Sequence, residues 1–171
     1  MKTLLRGVTV IGLLATTSLA LAQPPGGGRG GRGGPPPEPS LITYELAEAA
    51  IDAAEAYARD NNWSVTILVT DQNANPVMMR RLDGAPPFTY TIATRKALTV
   101  TGSGLTSGEY GTKLEAGEID EIENAVTFAG GVPVYRDGEL IGAIATSGVT
   151  ADQDEEVSTA GAEVIGSVSR E

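Results

Sequence analysis

The groups able to do chemistry in this chain are lysine, carboxylate, tyrosine, methionine and hydroxyl, because histidine and cysteine do not occur among its 171 residues. Their absence excludes a Ser-His-Asp triad, a thiolate nucleophile, a zinc site of imidazole or thiolate, and axial imidazole ligation. Two hydroxyls stand among small residues, in Gly102-Ser103-Gly104 and Thr146-Ser147-Gly148. Neither fits the G-x-S-x-G elbow, and the only base left for a serine is a lysine such as Lys96. Asp71, Asn73 and Asn75 have the 1, 3, 5 spacing of a calcium loop. Pro76 replaces its glycine and Leu82 its bidentate glutamate, so no metal site is expected. General acid-base work without histidine needs a lysine or a carboxylate with a displaced pKa in a pocket. Lys96 with Asp83, and Glu109 or Glu118, are the candidates for such an enzyme.

The elements that must position these groups follow from periodicity. Thr43 caps a helix running to about Asp60, with Leu46, Ala50, Ala53, Ala54 and Tyr57 at helical spacing. Residues 65–70 are β-branched and apolar on both parities, the pattern of a strand covered on both faces. The Asp71 turn leads to a second strand over 77–82, paired antiparallel with the first. A helix over about 89–100 carries Ile92, Ala93, Lys96, Ala97 and Val100 near one face. Lysine there is expected to run its stem along the surface. Residues 101–117 lack periodicity and read as a long loop with a short helix near Glu115, and 118–123 as a helical turn. Strands are expected at 126–128, 132–135 and 140–145, the last two joined by the hairpin signal Asp137-Gly138. In the last helix Asp152 is expected to cap, Glu155 to complete a capping box, and Val157, Ala160, Gly161, Val164, Ile165 and Val168 to form the buried stripe. Helices at the two ends with hairpins between predict an α+β domain with an antiparallel five-stranded sheet.

The ends bound the domain. Lys2 and Arg6, an apolar run over 8–19 and Ala20-Leu21-Ala22 have the build of a cleavable signal peptide cut after Ala22. The apolar run is shorter than the ~20 residues that span a bilayer. The expected location is therefore a periplasm or the medium, with no membrane span. Residues 23–39 are nearly all Gly, Pro and Arg and read as a disordered linker. Residues 40–171 then form one domain, with 8 Lys plus Arg against 21 Asp plus Glu. Such a surface repels nucleic acid and anionic membranes.

Several stretches together resemble the GlcG/HbpS-like (haem-degrading or haem-binding) family: Arg81-Leu82-Asp83-Gly84-Ala85, Arg95-Lys96-Ala97, Gly130-Gly131-Val132-Pro133, Gly142-Ala143-Ile144, Ser147-Gly148 and the acidic final helix. The chain departs from it at Ala145-Thr146, where members commonly show Gly-Val. The resemblance implies a profilin-like topology, a homo-oligomer and a small-molecule ligand such as the tetrapyrrole haem. It implies ligand contacts at Arg81, Asp83, Arg95, Lys96, Gly130, Gly131 and Ser147, the cations pairing with carboxylates and the glycines presenting backbone N–H groups. An ordinary turn ion pair of Arg81 with Asp83, and a β-bulge at Gly130-Gly131, are the alternatives. Axial donors for haem would be Tyr110, Tyr90, Met78 or Met79. The expected function is an exported haem-binding or small anionic ligand-binding protein, more a binder than an enzyme. An enzyme acting on a small organic acid or on haem is the first alternative, and an oligomeric assembly module the second.

Overall fold

Thr43 accepts a hydrogen bond from the Leu46 amide and opens α1, Tyr44–Asp60. This is a computed structural model that describes residues 40–170. The signal peptide and linker read from the sequence lie outside the described residues, as does Glu171. The buried stripe of α1 is Ala47, Ala50, Ile51, Ala54 and Ala58, a helical repeat shifted slightly from the expected one. Small side chains there let the helix lie close to its neighbours.

Two antiparallel hairpins make the sheet. β1, Thr66–Asp71, and β2, Pro76–Arg81, are joined by the Asp71 turn. Asp71 is buried, and its carboxylate accepts from the Asn73 and Asn75 amides and from Asn75 Nδ2. Those bonds close the turn on itself and occupy the carboxylate that a calcium loop would need. β3, Gly131–Arg136, and β4, Glu139–Ser147, are joined at Asp137-Gly138, both with positive φ. That is the paired left-handed geometry the Asp-Gly signal implies. The sheet has four strands in the order β2-β1-β4-β3.

Between the hairpins lie α2, Thr89–Ser103, and α3, Ser107–Glu115, and the chain ends in α4, Ala151–Ile165. Contacts place α1 and α4 on one face of the sheet and α2 on the other. The alternation along the central strands fits that arrangement. Ile67, Val69 and Ile144 join the α1/α4 core, whereas Leu68, Ala143 and Ala145 pack with Ala93, Ala97 and Val100 of α2. The apolar run on both parities is thus a strand pair sandwiched between helical layers.

Four sequence expectations are corrected. Residues 126–128 are not a strand, so the sheet has four strands and not five. Side chains of α2 hold the chain at the start of this segment: Arg95 donates to the carbonyls of Asn124 and Ala125, and Val126 N donates to Thr99 Oγ1. The supposed loop at 101–117 is largely helical, and residues 118–123 are not. Thr106 and Glu109 form a capping box for α3, a signal hidden among glycines. In α4 the cap is Thr150 with Gln153, not Asp152 with Glu155. The buried face consequently contains Asp154, Val157, Ser158, Gly161, Ala162 and Ile165, while Val164 is exposed.

Candidate functional site

Once Thr150 is the cap, Asp154 falls on the inward face of α4, where a lone carboxylate would be strongly disfavoured. Its partner comes from the other side of the sheet. Lys96 on α2 is 1% exposed, its ammonium 2.7 Å from Asp154 Oδ2 and 2.9 Å from the Thr146 carbonyl. Asp154 Oδ1 accepts from Val149 N. Lys96 therefore does not run its stem out to solvent. It reaches past the start of β3, across to α4.

Gly130 makes that passage possible. Its φ is +119°, and a Cβ there would overlap Lys96 Nζ and Asp154 Cβ. The Gly130 carbonyl accepts from Thr146 N at 2.8 Å and from Ser158 Oγ at 2.8 Å. Its N–H donates to Glu155 Oε2, and Gly131 N donates to Ser107 Oγ. Ser158 Oγ also reaches Thr146 Oγ1 at 2.9 Å. The Phe128 ring, 43% exposed, covers the ammonium with its centroid 5.3 Å from Nζ, a cation–π distance. The result joins α2, α3, β3, β4 and α4 through one buried, hydrogen-bonded network.

Burial pushes the Lys96 amine below its ordinary pKa and the Asp154 carboxyl above its own, with their mutual attraction opposing both shifts. Desolvation also raises Glu155, helped by the charges of Glu109 and Asp152 and opposed by the Gly130 N–H and Lys96. A carboxyl raised in the folded state stabilises the fold below its unfolded pKa, and that contribution is lost as pH rises through the folded value. Glu155→Gln, which keeps an acceptor for Gly130 N–H, is accordingly expected to be more stable than the parent at neutral pH. Urea unfolding midpoints measured across pH should converge near the ordinary carboxyl value of 4.5; a constant offset would contradict this origin.

The expected site residues divide into three groups. Lys96, Gly130 and Gly131 come together in the network, and Ser147 is buried beside Thr146 at the end of β4. Arg95 lies next to Lys96 in sequence, but its guanidinium serves the carbonyls of Asn124 and Ala125. Arg81 and Asp83 are exposed outside the network, form no ion pair with each other, and the carboxylate facing Lys96 is Asp154. Tyr110 is fully buried, its phenol oxygen accepting from Ile122 N. Tyr90 and Met79 are 53% and 50% exposed, and Met78 is half-buried. Asp154, Thr146, Ser158, Ser107 and Phe128 escaped the sequence reading. A lysine on an apolar helix face demands a buried counter-charge, and that demand was the signal for Asp154.

Chemically, this arrangement offers little to an anion. Lys96 is already neutralised, and Glu155 borders an open groove of about 500 Å³ on α4 lined also by Tyr57, Asp152, Glu156 and Glu163. Carboxylates on that wall repel negative ligands. Among the described residues the cation with neither an ion pair nor a hydrogen bond is Arg81, on β2 two positions from Met79. Residues two apart on a strand share a face, so a thioether and a guanidinium project together from this edge strand. Among the described residues no group of three or more acidic side chains could hold a metal ion, and no helix is long and apolar enough to cross a membrane.

Three comparisons give this geometry relatives. A family model described as "Haem degrading protein HbpS-like" matches residues 42–163. GlcG of Escherichia coli (strain K12) is 32% identical over 109 residues, 63% of this chain and 81% of GlcG. A double mutant of Streptomyces reticuli HbpS is 34% identical, with a TM-score of 0.69 over 79% of this chain and 94% of that one. The fold is shared with a PduOC:heme complex, at 22% identity and a TM-score of 0.62 over 72% of this chain and 94% of that one.

Proposed function

Because the chain belongs to the HbpS-like family, we propose that it is an exported protein that holds haem, or a similar small anionic organic ligand, without transforming it. The observation that carries this reading is the pairing of Met79 with Arg81 on the exposed face of β2. A thioether can ligate haem iron, and a guanidinium can pair with a propionate. The haem in the PduOC complex supports the choice of ligand. Tyr90 is the second exposed donor. Tyr110 is committed to Ile122 N, which removes it from the ligation proposed here. The retention of ligand unchanged is supported by the Lys96–Asp154 pair, whose charges are spent on each other beneath Phe128. Export rests on the N-terminal sequence. Self-association, which the resemblance implies, is supported by exposed Phe88 and Tyr90 at 65% and 53%, and light scattering of the purified protein would measure it.

Titration of the mature protein with hemin should give a saturable shift of the Soret band at micromolar protein. Arg81→Ala should weaken binding roughly threefold to tenfold, the range of a solvent-exposed charge pair. Met79→Ala should move the Soret band itself. No saturable shift in the parent protein would remove the tetrapyrrole reading.

A further inference from the structure

A second recess lies between the end of α1, the link to β1, and the turn from β2 to α2. It encloses about 290 Å³ and is lined by Arg59, Asn62, Trp63, Ser64, Leu82 and Asp83. That volume is near the lower end of small-molecule sites, about 300 Å³. None of these groups takes part in the Lys96 network or in the Met79–Arg81 pair.

What distinguishes the recess is an indole ring flanked by polar side chains that leave hydrogen-bonding capacity for a ligand. Trp63 is half-buried and its ring is braced by Tyr57, with centroids 6.1 Å apart at 57°. Arg59 is held through Nε by Glu55, leaving its terminal nitrogens unpaired. The side chains of Asn62, Ser64 and Asp83 make no hydrogen bond to other described residues.

We infer that this recess binds a small neutral polyhydroxy compound of monosaccharide size, with its C–H face on the Trp63 indole and its hydroxyls on Arg59, Asn62, Ser64 and Asp83. The lining carries one cation and one anion, so no net charge selects an ion. Each ligand hydroxyl both donates and accepts, which matches a wall of mixed donors and acceptors. The volume admits one ring and no chain of rings.

Trp63 is the only tryptophan in the chain, so its emission, excited where tyrosine does not absorb, reports this site alone. The full chain would be titrated with D-glucose, D-galactose and D-mannose, and separately with L-alanine as a zwitterion. At least one sugar should give a saturable change, with half-saturation in the millimolar range usual for so few contacts, about 4 kcal/mol of binding. Asp83→Ala, at an exposed turn position, should fold normally and bind that sugar roughly tenfold more weakly, the loss of a charge-assisted hydrogen bond. No saturation by any of the sugars up to ~100 mM, a range far beyond millimolar binding, would overturn the inference. So would saturation by L-alanine alone, or a sugar response unchanged in Asp83→Ala.

Discussion

Replacing Lys96 by methionine should cost the domain about 3–5 kcal/mol, because it leaves Asp154 charged and buried with no cation. Asp154 is 3% exposed, and only Val149 N and the adjacent backbone would remain to solvate it. The double variant Lys96→Met/Asp154→Leu should recover most of that loss, since an apolar pair of similar volume often matches or exceeds a buried ion pair. Denaturant unfolding of the two singles and the double closes the cycle. If the double were as unstable as the single, the ion pair would not be the origin of the cost. The direction of both pKa shifts, toward the neutral forms, expresses the same physics: burial opposes the charged pair more than mutual attraction favours it.

Gly130→Ala should destabilise by a comparable amount, on the order of 3 kcal/mol, from two sources. A positive φ of +119° is strained for any residue with a Cβ. The new methyl would also fall on Lys96 Nζ and Asp154 Cβ, and the ammonium cannot retreat without leaving Thr146 O or Asp154. Combining Gly130→Ala with Lys96→Met therefore should cost less than the sum of the two, because the shorter side chain frees the space. Strict additivity of the unfolding free energies would refute the overlap and leave strain as the whole cause.

Much of the secondary structure was legible in the sequence because it depends on near neighbours. Thr43 and the alanine spacing marked α1, the β-branched run marked β1, and Asp137-Gly138 marked the β3–β4 hairpin. The family was legible from motifs dispersed along the domain. The failures share a cause. Residues 126–128 have strand composition, yet Thr99 takes the Val126 amide from 27 positions away and Arg95 holds the carbonyls of Asn124 and Ala125 just before them. Thr150 outcompeted Asp152 as the cap of α4, which turned the acidic helix start partly inward. Lys96 was expected to follow the ordinary habit of long cationic side chains, and only the opening left by Gly130 lets it pass to α4.

Sequence by itself determined which chemistries are barred, since a chain without imidazole or thiol cannot acquire them by folding, and where most helices and strands begin. Tertiary structure alone decided that Lys96 meets Asp154, 58 positions away, and that Arg81 remains at the surface near Met79. The physical reason is desolvation. A charge in an isolated segment is solvated and needs no partner, and only when the layers close over it does the cost of burial select the residue it must face.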